Sequence, residues 1–506
     1  MLVRNVAAGL ASSIGAALIG LAVVPVYIRL LGIEAYGLIG FFFTLQALFQ
    51  ILDLGLAPTV NREVALASAG NDLGRARVLL HSMSVVYWSV ACLIGMLLFL
   101  TAPMIASHWL KSKSFSSETL SQVVAMMGVV IAARWPIALY QATLIGRQRL
   151  VAHSAITLGM AAVAALGAVV TLSFVSTTVS AFFLWQAIAG ISYALISRSV
   201  AWRSIGKDRK VRFSLPALKS VWKFSSGMIV LTAAGLVFSQ LDKVILSKLL
   251  GLAEFGQYML AAVVAGALGT VISPFYNAVF PRFAGYVAAG DARGARDLYE
   301  RATRLIATIL FTLALVLVLF SEDLIALWTG NSELARAVAP IVALLAAGTA
   351  LHGTMYIPHA LMLAKGKVGV PIATNLILLI VVVPMIATLT VRFGVVGGAW
   401  AWLILHALYV VIATTLTHRC VVPEWSGLTW FAREIGIPLA VTCLVGAAGY
   451  FILGTGEWTK AARFGLVFAL AVANVSLIVS ASPTSFRIGS RRSSLSVHPS
   501  TGEESS

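Results

Sequence analysis

Arg134 stands inside a long apolar run, about 13 residues from the start of that run. If the run is a membrane helix rising 1.5 Å per residue, the guanidinium lies roughly 20 Å deep. A charge at that depth is costly and is a functional candidate by default. The planar fork of arginine suits bidentate pairing with an oxyanion. Pro136, two residues on, can kink a helix and free backbone carbonyls beside the charge. The competing use is structural, as a partner for Asp53 or for carbonyls of a neighbouring helix. Three further charges fall within apolar runs. Asp53, near the inner end of the second run, is a candidate proton or sodium site, or a pairing group at a helix end. Asp242 and Lys243, near the outer end of the seventh, are candidates for gating or ion coupling. Adjacent helical residues point about 100° apart, so these two are not expected to pair with each other, and Lys243 can snorkel to the interface.

Neutral polar groups form a second set. His352, Tyr356 and His359 share one helix face by their i, i+4, i+7 spacing. With Arg134 they are candidates for lining one cavity from opposite sides, the alternative being a hydrogen-bond cluster inside a bundle. His406 and Asn375 read as groups that bind helices to one another. Arg147, Arg149, Lys365 and Lys367 end two corresponding helices. They are candidates for gathering an anionic head group at a cavity mouth, against the plainer reading of ordinary loop charge.

The elements that must position these residues follow from composition. Of 506 residues, 59% are hydrophobic and 11% charged. That is about half the usual charge of a soluble chain, so lipid must solvate much of the surface. Spanning runs fall at about 7–28, 37–57, 79–105, 121–143, 153–174 and 176–197, then 224–246, 252–279, 305–325, 338–362, 368–390 and 396–417, with a last pair at 434–453 and 462–481. The expectation is an all-α polytopic membrane protein of about 14 helices. The short loops around Val175–Thr178 and Phe393–Gly397 are where two helices are most easily counted as one. The first run has no separate cleavage region and reads as an uncleaved helix.

The expected units are a six-helix bundle over 1–200, a basic linker over 201–222, a second bundle over 223–418, an extra pair over 430–482 and a disordered Ser-rich tail over 483–506. About 26 Lys and Arg fall in loops on one side against about 8 on the other, so both termini are expected in the cytoplasm. The net charge of +17 is then loop charge facing an anionic leaflet, with no nucleic acid implied. Cys92, Cys420 and Cys443 have no metal or redox spacing.

A repeat organises the two bundles. Leu30-Leu31-Gly32-Ile33-Glu34-Ala35-Tyr36-Gly37 and Leu249-Leu250-Gly251-Leu252-Ala253-Glu254-Phe255-Gly256 lie 219 positions apart. Six helices separate the copies, so the repeat is parallel. The same period sets His352 one residue away from the equivalent of Arg134.

These segments also carry a resemblance. Leu31-Gly32 with Tyr36-Gly37, then Asp53-Leu54-Gly55-Leu56, Asn61-Arg62-Glu63 and Gln240-Leu241-Asp242-Lys243, are similar to the polysaccharide biosynthesis flippases. These are the O-antigen and exopolysaccharide type of lipid-linked oligosaccharide translocase, in the multidrug/oligosaccharidyl-lipid/polysaccharide exporter superfamily. The resemblance covers about residues 1–420. It implies a V-shaped pair of six-helix bundles in the bacterial inner membrane, alternating access to move a polyprenyl-pyrophosphate-linked glycan from the cytoplasmic to the outer leaflet. It further implies no resident cofactor, H+ or Na+ as coupling ion, and polysaccharide polymerase or export proteins as partners. Lipid II flippases of the superfamily also have fourteen helices, but no charge falls between Ala7 and Ile28 here, unlike their arginine-rich first helix. Cation-coupled drug efflux within the superfamily is the nearest alternative. A membrane glycosyltransferase or polymerase is the alternative from another class; it would need paired carboxylates or a sizeable outer loop, and the first outer loop has only Glu34 while Glu322-Asp323 has no folded domain around it. Lys365-Gly366-Lys367 also fails the phosphate-loop pattern, since Leu361 stands where glycine is required.

Overall fold

The computed structural model describes residues 2–53, 55–206, 211–216, 218–219, 235, 238–454 and 458–481. Residues 207–210, 217 and 220–222 of the expected basic linker, most of the first part of the seventh helix and the tail over 483–506 lie outside the described residues. Among the described residues there is no strand, and twelve helical stretches are long and apolar enough to cross a membrane.

The chain begins with α1 (Leu2–Leu31) and α2 (Ile33–Gln50). A short 3-10 turn, Ile51–Asp53, and Gly55 in the left-handed region (φ 73°) separate α2 from α3 (Leu56–Ala69). The single helix expected over 37–57 is therefore broken, and Asn61-Arg62-Glu63, beyond that expected span, lies on α3. Hydropathy cannot see such a break, because Leu56, Val60 and Val64 continue the apolar pattern on the buried face of α3. Next come α4 (Leu73–His108) and α5 (Ser117–Arg134). A second break at Trp135-Pro136 leads into α6 (Ile137–Gly146), then α7 (Leu150–Phe174) and α8 (Val179–Ile205). The last of these runs past residue 200, where the linker was expected to begin.

The later part repeats this plan. Residues 238–249 form α9. The eighth span divides into α10 (Leu252–Gly266) and α11 (Gly269–Ala288), and α12 (Ala292–Thr329) follows. The tenth divides into α13 (Ser332–Thr354) and α14 (Tyr356–Ala364). Helix α15 (Gly369–Cys420) is two helices joined at Gly394, whose φ 61° and ψ −144° are not helical. Residues eight apart on a continuous helix would be about 12 Å apart. A Cβ on Gly397 would instead fall on the Leu389 carbonyl oxygen, so the chain doubles back there. With this stretch counted as two helices, and the partly described seventh included, the fourteen expected helices are accounted for. Broken helices thus sit at corresponding places in the two halves (α2/α3 with α10/α11, α5/α6 with α13/α14), a common mark of a transporter binding region.

Local signals fix these boundaries. Asp72 caps α4 by accepting from the Arg75 N–H at 3.0 Å, and Asp291, 219 positions on, caps α12 through Gly294 at 2.8 Å. Ser116 and Asn331 do the same for α5 and α13. On α4, Leu93, Leu97, Leu100 and Met104 are 49–68% exposed, a face that only lipid can solvate.

The two halves meet chiefly where α2 crosses α10. The second glycines of the repeat make that crossing possible. A Cβ on Gly37 would strike the Leu252 carbonyl oxygen, and one on Gly256 the Ile33 carbonyl oxygen. The repeated segments therefore pack on each other through a reciprocal backbone contact. Around it, Trp109 donates to Ser247 (3.0 Å), the Lys111 ammonium to the Leu249 carbonyl (3.0 Å), and the Leu252 N–H to the Lys111 carbonyl (2.8 Å). Glu34 holds the 112–114 loop beside this seam, accepting from Ser112 at 2.7 Å and Ser114 at 2.6 Å.

The extra pair opens with the short α16 (Gly427–Trp430) and a π-helical turn, Phe431–Gly436, continuing into α17 (Ile437–Gly454), and then α18 (Lys460–Ser480). Both helices dock on α12.

Candidate functional site

Arg134 ends α5 at the helix break and faces a cavity of about 860 Å³. Helices α1, α2, α5, α6, α7 and α8 line it, and Met259 and Val263 of α10 close one side. That volume is within the range of small-molecule sites. The guanidinium donates from Nη1 to Gln46 Oε1 (3.2 Å) and from Nη2 to Gln186 Oε1 (2.5 Å), and lies 5.5 Å from the centre of the Phe42 ring. Gln186 is held in turn by its own donation to the Ala164 carbonyl at 3.3 Å. Asp53 is not the partner of Arg134. Its carboxylate accepts from the Tyr87 hydroxyl and from the Ala57 N–H (3.2 Å), which caps the start of α3. Arg134 thus keeps its full charge toward the cavity, with no carboxylate in pairing range among the described residues.

His352, Tyr356 and His359 do not line this cavity. His352 packs edge-on against His406 (4.7 Å between ring centres), Tyr409 (4.9 Å) and Tyr356 (5.5 Å). Tyr356 and His359 both meet Tyr276 of α11. The expectation that Arg134 and the His352 face line one cavity from opposite halves is therefore corrected for this cavity, and the repeat gives the reason. Arg134 points from α5 to Gln186 on α8, and His352 points from α13 to His406 on α15. The paired positions are 218 and 220 apart, so each half directs its polar residue into its own interior.

Asp242 and Lys243 do pair, with Nζ 3.2 Å from Oδ1, against the expectation from their helical angle. The four-carbon lysine stem is long enough to fold back, and burial favours that contact over snorkelling. Tyr258 donates to the same carboxylate at 2.6 Å, and the ammonium lies 5.4 Å from the Trp402 ring centre.

The four basic residues at the helix ends divide into two kinds. Arg147 donates to the Ser204 carbonyl at 3.2 Å, at the end of α8. Lys365 donates to the Val421 carbonyl at 3.0 Å, just past α15. Each caps the last helix of its half, where carbonyls lack partners and a cation is favoured. Arg149 and Lys367 are exposed.

Sequence reasoning missed several groups. Gln46, Gln50, Gln141, Gln186 and Tyr193 share the cavity with Arg134. Gln46, Gln50 and Asp53 have i, i+4, i+7 spacing, a signal that was present. The second omission is a buried ion pair. Arg304 of α12 donates to both carboxylate oxygens of Glu434 at 2.8 and 2.7 Å, with side chains only 7% and 4% exposed. Arg304 reads in the sequence as loop charge and its partner is 130 positions away.

Residues 2–287 match the model of a family described as polysaccharide biosynthesis protein. No curated protein matches the chain. Among solved structures, the lipid II flippase MurJ in an inward closed conformation is 13% identical, with a TM-score of 0.70 over 95% of this chain and 98% of its own. An inward-facing multidrug resistance MATE family transporter of the MOP superfamily is 13% identical, with a TM-score of 0.64 over 81% and 96%. The MATE transporter VcmN of Vibrio cholerae is 13% identical, with a TM-score of 0.58 over 85% and 98%. At such identities the likeness is one of fold. The family match spans more than half of the sequence, and the chain belongs to the polysaccharide biosynthesis protein family, on a transporter fold shared with MurJ and the MATE proteins.

Proposed function

We propose that the protein translocates a polyprenyl-diphosphate-linked glycan from the cytoplasmic to the outer leaflet by alternating access. One observation carries this reading: a guanidinium faces a membrane cavity while bound only to neutral amides. Arginine with a paired carboxylate would be internally neutralised. Here the charge is held in place and left for an anion, and three of its five N–H donors have no partner among the described residues. A diphosphate can accept from that fork bidentately. A cationic drug would be repelled by the same group, which favours this cargo over drug efflux. At roughly 30 Å³ per water-sized group, 860 Å³ accommodates about thirty such groups. That suits a diphosphate with one or a few sugars while the polyprenyl tail stays in the bilayer.

In this reading the inner mouth is the end carrying Arg149 and Lys367, which gather the head group, and the α2–α10 seam is the closed outer gate. Asp53 and the Asp242–Lys243 pair, each bonded to a tyrosine hydroxyl, are the gating or H+/Na+-coupling groups. The gate is testable. In a background with Cys92, Cys420 and Cys443 replaced by alanine, Lys111→Cys with Leu249→Cys is joined by a short reducible cross-linker. Glycan-lipid translocation in liposomes should fall to background and return on reduction. Undiminished transport by the cross-linked protein would contradict a gate at this seam.

A further inference from the structure

The charge distribution of the Arg134 cavity names a narrower substrate class, on the reading of that cavity as the head-group site. Among the described residues of its lining, Arg134 and Asp53 alone carry a guanidinium or a carboxyl group. The remaining polar side-chain groups there are amides, phenols, one hydroxyl and the Trp135 indole N–H, which is spent on the Phe49 carbonyl. Their unused hydrogen-bonding capacity is of both kinds. Gln46 spends Oε1 on Arg134 and keeps two N–H donors. Gln141 donates through Nε2 to Thr157 (3.3 Å) and Tyr193, leaving Oε1 as an open acceptor. Gln50 has its whole amide free among the described residues.

A sugar hydroxyl both donates and accepts, so it can use either kind of site. A carboxylate only accepts, so it could use the N–H donors of Gln46 and Gln50 but not Gln141 Oε1 or Asp53, and amide donors supply no counter-charge. The one cation is already engaged by the diphosphate. A second negative group would therefore be desolvated without a counter-charge, which is a large penalty in an apolar cavity. We infer that the cavity selects a diphosphate-linked glycan whose lipid-proximal sugars are neutral, with Arg134 taking the diphosphate and Gln141, Gln50 and Gln46 taking sugar hydroxyls.

The test compares three short-chain polyprenyl diphosphates bound to the purified wild-type protein: the bare lipid, one bearing a neutral N-acetylhexosamine, and one bearing a hexuronic acid. The neutral glycolipid should bind at least about tenfold more tightly than the uronate form. Gln141→Ala should bring the neutral form to within about threefold of the bare diphosphate, and Gln141→Arg should relieve the discrimination against the uronate. Equal or tighter binding of the uronate to the wild type overturns the inference, and that comparison needs no variant to fold. Arg134→Gln separates this inference from the reading beneath it. If that variant binds the bare diphosphate as well as the wild type does, the cavity is not the head-group site and both fall. If bare-lipid binding drops but the wild type shows no preference between sugars, only the selectivity fails.

Discussion

Arg134→Gln is expected to lower affinity for a polyprenyl diphosphate on the order of 100-fold, while the protein remains folded and membrane-inserted. A charge-assisted hydrogen bond contributes about 1.5–3 kcal/mol, and a bidentate contact supplies two. A loss of about 3 kcal/mol corresponds to roughly two decades in Kd. The fold should survive because the groups left behind, Gln46 Oε1 and Gln186 Oε1, border the cavity. Arg134→Lys should retain an intermediate affinity, since an ammonium keeps the charge but loses the fork. Isothermal or fluorescence titration of detergent-purified protein reads the effect, with elution from a sizing column as the folding control. An Arg134→Gln protein that binds normally would reduce the guanidinium to a brace between α2, α5 and α8.

The second large effect concerns the C-terminal pair. Arg304→Ala should destabilise the protein by about 3–5 kcal/mol, because it leaves the Glu434 carboxylate buried without its cation. The double replacement Arg304→Met with Glu434→Met should recover most of that loss, since no charge is then left stranded. Thermal unfolding in detergent distinguishes the three proteins. The pair joins the π-helical turn that opens the last two helices to α12. Asn474 of α18 adds a second tie to α12 by donating to Thr312 at 2.8 Å. Equal stability of the single and double variants would show that the pair does not secure this docking.

How much of this was legible in the sequence depends on the range of each interaction. Apolar runs gave the helices, since a membrane span must satisfy its backbone internally and is written in consecutive residues. The Leu-Gly repeat disclosed the duplication, and the structure adds why its second glycines stand where they do. Gly37 and Gly256 let two backbones touch, a fact about the partner helix that neither segment states alone. Breaks at Asp53–Gly55 and Met355 were invisible because hydropathy runs through them. Pro136 marked its break by residue type. Arg134 was found because a charge in an apolar run is conspicuous. Its partners were not, because Gln46 and Gln186 lie 88 and 52 positions away. The same holds for Arg304 with Glu434. Lys243 misled for a different reason: helical angles describe Cβ directions, and a long side chain can return to its neighbour.

Under the proposed function, this membrane protein takes an anionic glycan lipid through the Arg134 cavity. Purified protein in liposomes, given a polyprenyl-diphosphate glycan on one face, tests it most directly, with the fraction reaching the other leaflet read by an impermeant enzyme or lectin. Transfer by the wild type is expected well above protein-free liposomes, and transfer near background for Arg134→Gln. No transfer of the glycan lipid, together with export of a lipophilic cation by the same liposomes, would contradict it.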